Sequence, residues 1–269
     1  MHSSKGEFLQ KEQITQIATE LHQARIGHTP VGQYSKNIED FKISSAYSIQ
    51  EEGIMIREES GETVIGYKMG LTSKAKREQM NLKEPCYGVL TDKMEIADKG
   101  IFSMATSIHP KIEPEIFFKI SRDLQGQVTR NEVIESISWV GAALEILDSR
   151  YDQFKYFSLE DVVADNSSSS HFILGKNLMP PQDLDLENLK MVLRVDGKDS
   201  EKGISGDISG NPLDSVVQLV HLLAERNKNL PKDSIVLAGA ATSALALSPG
   251  MHIDLEVDLL GHVDLVVAP

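Results

Sequence analysis

The patterning of this chain predicts an α+β fold with a mixed or antiparallel sheet. Apolar residues recur at helical steps through the first sixty positions, whereas after Gly61 they gather into short β-branched runs broken by single helices. The runs and helices do not alternate regularly, which removes a doubly wound parallel sheet.

Leu9, Ile14, Ile17, Leu21 and Ile26 outline a first helix, and residues 27–37 read as loop. Ile43, Ala46, Tyr47, Ile49, Gln50, Ile54 and Ile56 outline a second helix that stops at Ser60-Gly61. Two helices alone bury too little surface to be stable. Residues 1–62 are therefore expected to form a helical N-terminal region capping residues 63–269. Strands are expected at 63–71, 112–120, 171–174, 189–195, 234–238 and 253–267. Helices are expected at 73–80, 131–144 and 212–226, the last opened by Pro212 in its first turn.

At 269 residues the chain fits one main domain with an appendage. It is 41 % hydrophobic, enough for a sizeable core, and 27 Lys+Arg against 40 Asp+Glu give a net charge of −13. So acidic a surface repels nucleic-acid phosphates and anionic lipid headgroups, so neither is an expected partner. The single cysteine, Cys86, cannot form an internal disulfide, and the N-terminus has no apolar signal core. The longest near-apolar run, 235–247, is shorter than the roughly 20 residues of a membrane helix. A cytoplasmic protein without a membrane span is expected.

Few motifs carry chemistry. The glycine-rich stretch 203–210 lacks the Gly-Lys-Ser/Thr ending of a phosphate loop, and no histidine pair has zinc-ligand spacing. Cys86, beside Pro85, reads as inert packing. The informative segment is Ile112-Glu113-Pro114-Glu115-Ile116, where strand alternation places Glu113 and Glu115 on one face. Glu145 sits in an apolar run, where an unpaired charge is costly. Three oxygen donors, from a strand and a helix end, suit Mg²⁺ or Mn²⁺ better than zinc. The competing reading is a solvated acidic strand face, with Glu145 paired to Arg150 or Lys68.

The segments Gly66-Tyr67-Lys68-Met69-Gly70-Leu71-Thr72-Ser73, Glu84-Pro85-Cys86-Tyr87-Gly88-Val89-Leu90 and Pro110-Lys111-Ile112-Glu113-Pro114-Glu115 occur in that order. They are followed by Ala143-Leu144-Glu145-Ile146-Leu147-Asp148-Ser149-Arg150-Tyr151, Val163-Ala164-Asp165-Asn166-Ser167-Ser168 and Leu237-Ala238-Gly239-Ala240. From about residue 46 to the C-terminus, the chain resembles the fumarylacetoacetate hydrolase superfamily. The branch is that of 2-keto-4-pentenoate hydratases and 2-oxo-3-hexenedioate (4-oxalocrotonate) decarboxylases.

The resemblance implies a mixed β-roll catalytic domain over 63–269 behind the small helical N-terminal region. It implies Mg²⁺ or Mn²⁺ at Glu113, Glu115 and Glu145, with Lys68 as the catalytic residue beside a small 2-oxo dicarboxylate. Leu71, Tyr87, Arg150, Ser167 and Thr242 are the expected substrate contacts: Leu71 and Tyr87, with Val89, line the leaving-carboxylate pocket, Ser167 and Thr242 hydrogen-bond the metal-proximal carboxylate, and Arg150 contacts a substrate carboxylate. Their plainer readings are an Asp148–Arg150 ion pair, turn-stabilising hydroxyls and core side chains. The family's Gly-His-Pro-Leu element appears as Gly210-Asn211-Pro212-Leu213, and Asn211 is left outside the site.

Metal-dependent decarboxylation in the meta-cleavage degradation of aromatic compounds is the activity favoured. The far carboxylate of 2-oxo-3-hexenedioate is a vinylogous β-keto acid and leaves as CO₂ once electrons can flow to the 2-oxo group. A hydratase needs a further acid/base, and Cys86 stands where hydratases of this branch tend to carry aspartate. Hydration of 2-hydroxypenta-2,4-dienoate and a non-catalytic partner subunit are the alternatives. A homo-oligomer and a complex with a 2-keto-4-pentenoate hydratase are expected assemblies.

Overall fold

The computed structural model describes residues 9–73, 84–154 and 158–269. Helices α1 (Lys11–Gly27) and α2 (Ile43–Glu59) pack together through Ile17, Ala18 and Leu21 on one and Ala46, Ile49 and Ile54 on the other. These side chains belong to the same apolar cluster as the sheets. Gly61 (φ 92°) follows α2 and turns the chain into the first strand.

The strands, in chain order, are β1 (Val64–Gly70), β2 (Cys86–Thr91), β3 (Glu95–Ile96), β4 (Gly100–Ser103), β5 (Lys111–Ile120) and β6 (Ile137–Leu147). They continue with β7 (Ser169–Leu174), β8 (Lys190–Val195), β9 (Lys198–Ile204), β10 (Ile235–Ala240), β11 (Leu245–Ala246), β12 (His252–Val257) and β13 (Gly261–Ala268). One sheet has the order β2-β1-β10-β5-β6-β7-β3, with β11 against β5; the other runs β4-β13-β12-β8-β9. Both are mixed, as expected: β1/β10 and β3/β7 are parallel in the first, β13/β4 in the second, and the remaining pairs are antiparallel.

The larger sheet curls. Asn166, just before β7, lays its side-chain amide along edge strand β2, accepting from Val89 N (2.8 Å) and donating to Val89 O (2.9 Å). This amide mimics a strand partner and joins two parts of the sheet that are far apart in strand order. The outer face, with Met69, Tyr87, Ile116, Phe118, Ala142 and Leu144, shares the large core with the helices. The inner face holds a smaller cluster of Leu90, Met94, Phe117, Ala143, Phe172, Ile235 and Leu237.

Three expectations need correction or restriction. Of the helix expected at 131–144, only α3 (Arg130–Ile134) forms, capped by Thr129, and the rest is β6. As a central strand buried on both faces, β6 has an apolar run without the alternation that marks a half-exposed strand. The stretch 253–267 is a hairpin of β12 and β13, turning through Leu259 (φ 64°). The helix expected at 73–80 lies, beyond Ser73, outside the described residues. Strands β2, β3, β4, β9 and β11 were not expected; β9 is a largely exposed polar edge strand (KDSEKGI) without an apolar signal. The short helix α4 (Leu159–Ala164) and the 14-residue α5 (Pro212–Glu225) complete the architecture, and Asn211 caps α5 by accepting from Leu213 N (2.8 Å). No helix among the described residues is long and apolar enough to cross a membrane.

Candidate metal centre and active site

Antiparallel pairing of β5 and β6 sets Glu113 directly opposite Glu145, and Glu115 lies two residues along on the same face. One carboxylate oxygen from each of the three lies within 4.8 Å of the others. Glu145 thus comes from a strand, not from the expected helix end. Glu115 and Glu145 are fully buried, which removes the solvated-face reading.

Glu115 Oε2 accepts from Gly239 N (2.8 Å), while its Oε1 is buried without a hydrogen-bond partner among the described residues. Glu145 Oε1 accepts from Ser169 Oγ (3.2 Å). Its Oε2 lies 3.1 Å from Lys68 Nζ as an ion pair, without hydrogen-bond alignment. Burial, then repulsion from Glu145, pushes the Glu115 carboxyl well above the ordinary range against the pull of Lys68. Burial also raises Glu145, against the opposing pull of Lys68. An oxygen-only set with an unpartnered buried oxygen and two acids that resist ionisation fits a hard divalent cation such as Mg²⁺ or Mn²⁺.

Lys68 reaches this cluster from β1, across from Gly88 of β2. A Cβ at Gly88 would stand 2.7 Å from Asn166 O and 3.1 Å from Lys68 Cγ and Cδ, so the glycine makes room for both the turn at Asn166 and the lysine stem. Gly70 does the same nearer the tip: its Cβ would meet Ser167 Oγ at 2.6 Å and Cys86 Sγ at 3.2 Å. Lys68 Nζ donates to Ser167 O (3.2 Å) and, more loosely, to Ser167 Oγ (3.5 Å). Burial works against its charge, but Glu145, Glu115 and Glu113 together outweigh it and raise the amine, which stays an ammonium.

The structure therefore brings together Lys68, Glu113, Glu115, Glu145 and Ser167. It adds Cys86, read from the sequence as inert packing, whose Sγ lies 3.4 Å from Ser167 Oγ. Burial raises this thiol, keeping it protonated. Tyr87 and Val89 lie on the other face of β2: Tyr87 is paired with Met69, and its ring stacks on Tyr47 at 4.8 Å. Leu71 follows Gly70 with φ 57° and is partly buried. Thr242 donates to Ser243 O (3.2 Å) in the loop after β10, next to Ala241, whose N–H donates to Pro114 O (3.3 Å).

The expected Asp148–Arg150 ion pair does not form. Arg150 pairs with Asp165, while the Asp148 carboxylate accepts from Ile108 N (2.9 Å) and His109 N (2.8 Å). Sequence reasoning also missed the parts played by Gly70, Gly88, Asp165 and Asn166. A pair of in-strand glycines flanking a lysine-bearing strand was the available signal.

A curled mixed sheet with three converging carboxylates and a buried lysine on its inner face defines an α+β metal-site enzyme scaffold. The chain belongs to the fumarylacetoacetate hydrolase family: residues 66–268 match the Fumarylacetoacetate (FAA) hydrolase C-terminal domain. It is 36 % identical over 256 residues to a 4-oxalocrotonate decarboxylase of Pseudomonas putida, covering 95 % of this chain and 97 % of that one. It is 32 % identical over 253 residues to a 2-keto-4-pentenoate hydratase of Paraburkholderia xenovorans (strain LB400), covering 94 % of each. Among solved structures, 4-oxalocrotonate decarboxylase from Pseudomonas putida G7, complexed with magnesium and adipate, superposes with a TM-score of 0.94 at 35 % identity. That match covers 96 % of this chain and 98 % of the other.

Proposed function

We propose that the chain is a divalent-metal-dependent carboxy-lyase that converts 2-oxo-3-hexenedioate to 2-hydroxypenta-2,4-dienoate and CO₂. The observation that carries this reading is the inner-face cluster: three converging glutamates, one with an unpartnered buried oxygen, beside an ammonium. A divalent cation held by Glu113, Glu115 and Glu145 would supply Lewis-acid polarisation of the substrate's 2-oxo group. The C5–C6 bond breaks as CO₂ leaves, and its electron pair passes through the conjugated carbons to the 2-oxo oxygen. Lys68 Nζ holds a proton for that oxygen; a substrate oxygen would displace its longest contact, the one to Ser167 Oγ at 3.5 Å. The apolar inner cluster around Phe117 and Leu237 lowers the local dielectric and strengthens these interactions.

Cys86 favours decarboxylation over hydration. Adding water to a diene calls for a second acid/base, and a buried neutral thiol 3.4 Å from Ser167 Oγ is a poor one. The decarboxylase relatives at 36–39 % identity support the same choice, although hydratase relatives at 30–32 % keep hydration as the second reading. In this proposal Ser167 and Thr242 lie toward the substrate's metal-proximal carboxylate and Leu71 toward its chain, whereas Arg150 and Tyr87 act from behind the site. We propose further that the chain forms homo-oligomers and associates with a hydratase that consumes its product.

The test is to supply purified protein and Mg²⁺ with 2-oxo-3-hexenedioate, following CO₂ and dienol absorbance together, and separately with the dienoate. CO₂ release with the dienoate left intact is expected. Rapid hydration of the dienoate, with no CO₂ from the hexenedioate, would show the chain to be a hydratase.

A further inference from the structure

The geometry points to Arg150 and Asp165 as a positioning pair that holds a strained turn and thereby aims Ser167 at Lys68. This inference rests on reading Lys68 as the donor at the substrate oxygen. Asn166, Ser167 and Ser168 have φ of 51°, 55° and 54°, three consecutive left-handed residues without a glycine among them. Such backbone persists only where its surroundings over-determine it, and it clusters at functional sites.

The Arg150 guanidinium spans the turn. Nη2 donates to Asp165 O and Nη1 to Ser169 O (3.1 Å), the carbonyls immediately before and after residues 166–168. Nη1 also donates to Asp148 O, and Nε to Asp165 Oδ1, while Arg150 N donates to Asp165 Oδ2 (3.1 Å). The backbone completes the frame: Asp148 N donates to Ser168 O (2.8 Å) and Ser168 N to Asp165 O (3.0 Å). From the opposite side, Asn166 clamps Val89. The turn's product is the buried Ser167, which offers its carbonyl and hydroxyl to Lys68 and lies against Cys86.

Only a planar fork joins both flanking carbonyls and a carboxylate; a lysine, with a compact charge, cannot. Asp165, which burial pushes up to about 6 despite Arg150, is a costly group to keep there. An ordinary buried ion pair would serve stability alone, so activity would follow the folded fraction. A positioning pair lets stability and activity move apart.

Arg150→Ala is expected to lower kcat by about 10²-fold, with KM and Mn²⁺ affinity little changed. Added guanidinium ion should restore much of the loss, methylammonium should not, and Arg150→Lys should behave like Arg150→Ala. Ser168→Gly keeps the test alive if Arg150→Ala fails to fold. Glycine adopts φ 54° freely, so this variant should hold or raise Tm while losing kcat several-fold.

A second readout needs no substrate. Cys86 is the chain's single cysteine and is fully buried beside Ser167. Iodoacetamide should label it at least about tenfold faster in both variants than in wild type, with guanidinium slowing Arg150→Ala again. Wild-type kcat and labelling in folded Arg150→Ala or in Ser168→Gly would overturn the inference, as would activity that only tracks the folded fraction. Failure of wild type to decarboxylate the hexenedioate would count against the proposed function, and Cys86 labelling would still decide the positioning claim.

Discussion

Alternate residues of β1 and β2 serve opposite purposes. On the inner face, Lys68 and Gly70 stand across from Gly88 and Cys86, beside buried glutamates that resist ionisation and a turn of left-handed residues. On the outer face, Tyr67 and Met69 stand across from Val89 and Tyr87 and pack into the large apolar core with α1 and α2. One face accumulates desolvated charge, which destabilises a fold unless it is compensated; the other supplies the burial that compensates it. A residue's part in this molecule therefore depends on strand parity as much as on residue type.

Substitutions can break the contrast, and the largest effect is expected at Glu115. Glu115→Gln should abolish tight Mn²⁺ binding and lower kcat/KM by about three orders of magnitude or more. Lys68→Met should come next, keeping Mn²⁺ binding but losing about 10²–10³ in kcat, as when one transition-state donor is removed.

On the outer face the expected signature is reversed. Tyr87→Ala should cost about 3–5 kcal/mol in denaturant unfolding with little change in the kcat of the folded fraction. Tyr87→Phe is the sharper control, since the Tyr87 hydroxyl is buried with no hydrogen-bond partner among the described residues. It should leave stability within about 1 kcal/mol and KM unchanged. A raised KM would place Tyr87 in the substrate pocket.

The smallest effect is a pH dependence. Burial holds the folded Glu115 and Glu145 carboxyls above the ordinary carboxylate range, so over that interval the folded metal-free protein binds more protons than the unfolded chain. Metal-free stability should therefore fall as pH rises from about 4.5 through the raised values, and Glu115→Gln should flatten the slope. A metal-free Tm that rises over the same interval from these groups would contradict the burial argument.

Much of the inner face was legible because strand alternation is local. Glu113 and Glu115 declared a shared face through their spacing, and the isolated Glu145 declared itself by being a charge in an apolar run. That Glu145 faces Glu113 was not legible, since β6 is buried on both sides and mimics a helix in its patterning. Which face Tyr87 takes was not legible, because nothing in residues 84–90 fixes which parity faces inward; pairing with β1 sets it on the outer face. The company of Cys86 was hidden for a different reason: Ser167 lies 81 residues away and is brought to it by the curl of the sheet. The partner of Arg150 depended on the turn's geometry, which local propensity disfavours.

On the proposed function, the three glutamates of the inner face hold one divalent cation on which the chemistry depends. The most direct measurement is the number of Mn²⁺ ions bound per chain, by calorimetry or electron paramagnetic resonance, in wild type, Glu115→Gln, Lys68→Met and Tyr87→Phe. One tight site is expected in wild type, lost in Glu115→Gln and kept in the other two. No binding by wild type at millimolar Mn²⁺, or equal binding by Glu115→Gln, would contradict it.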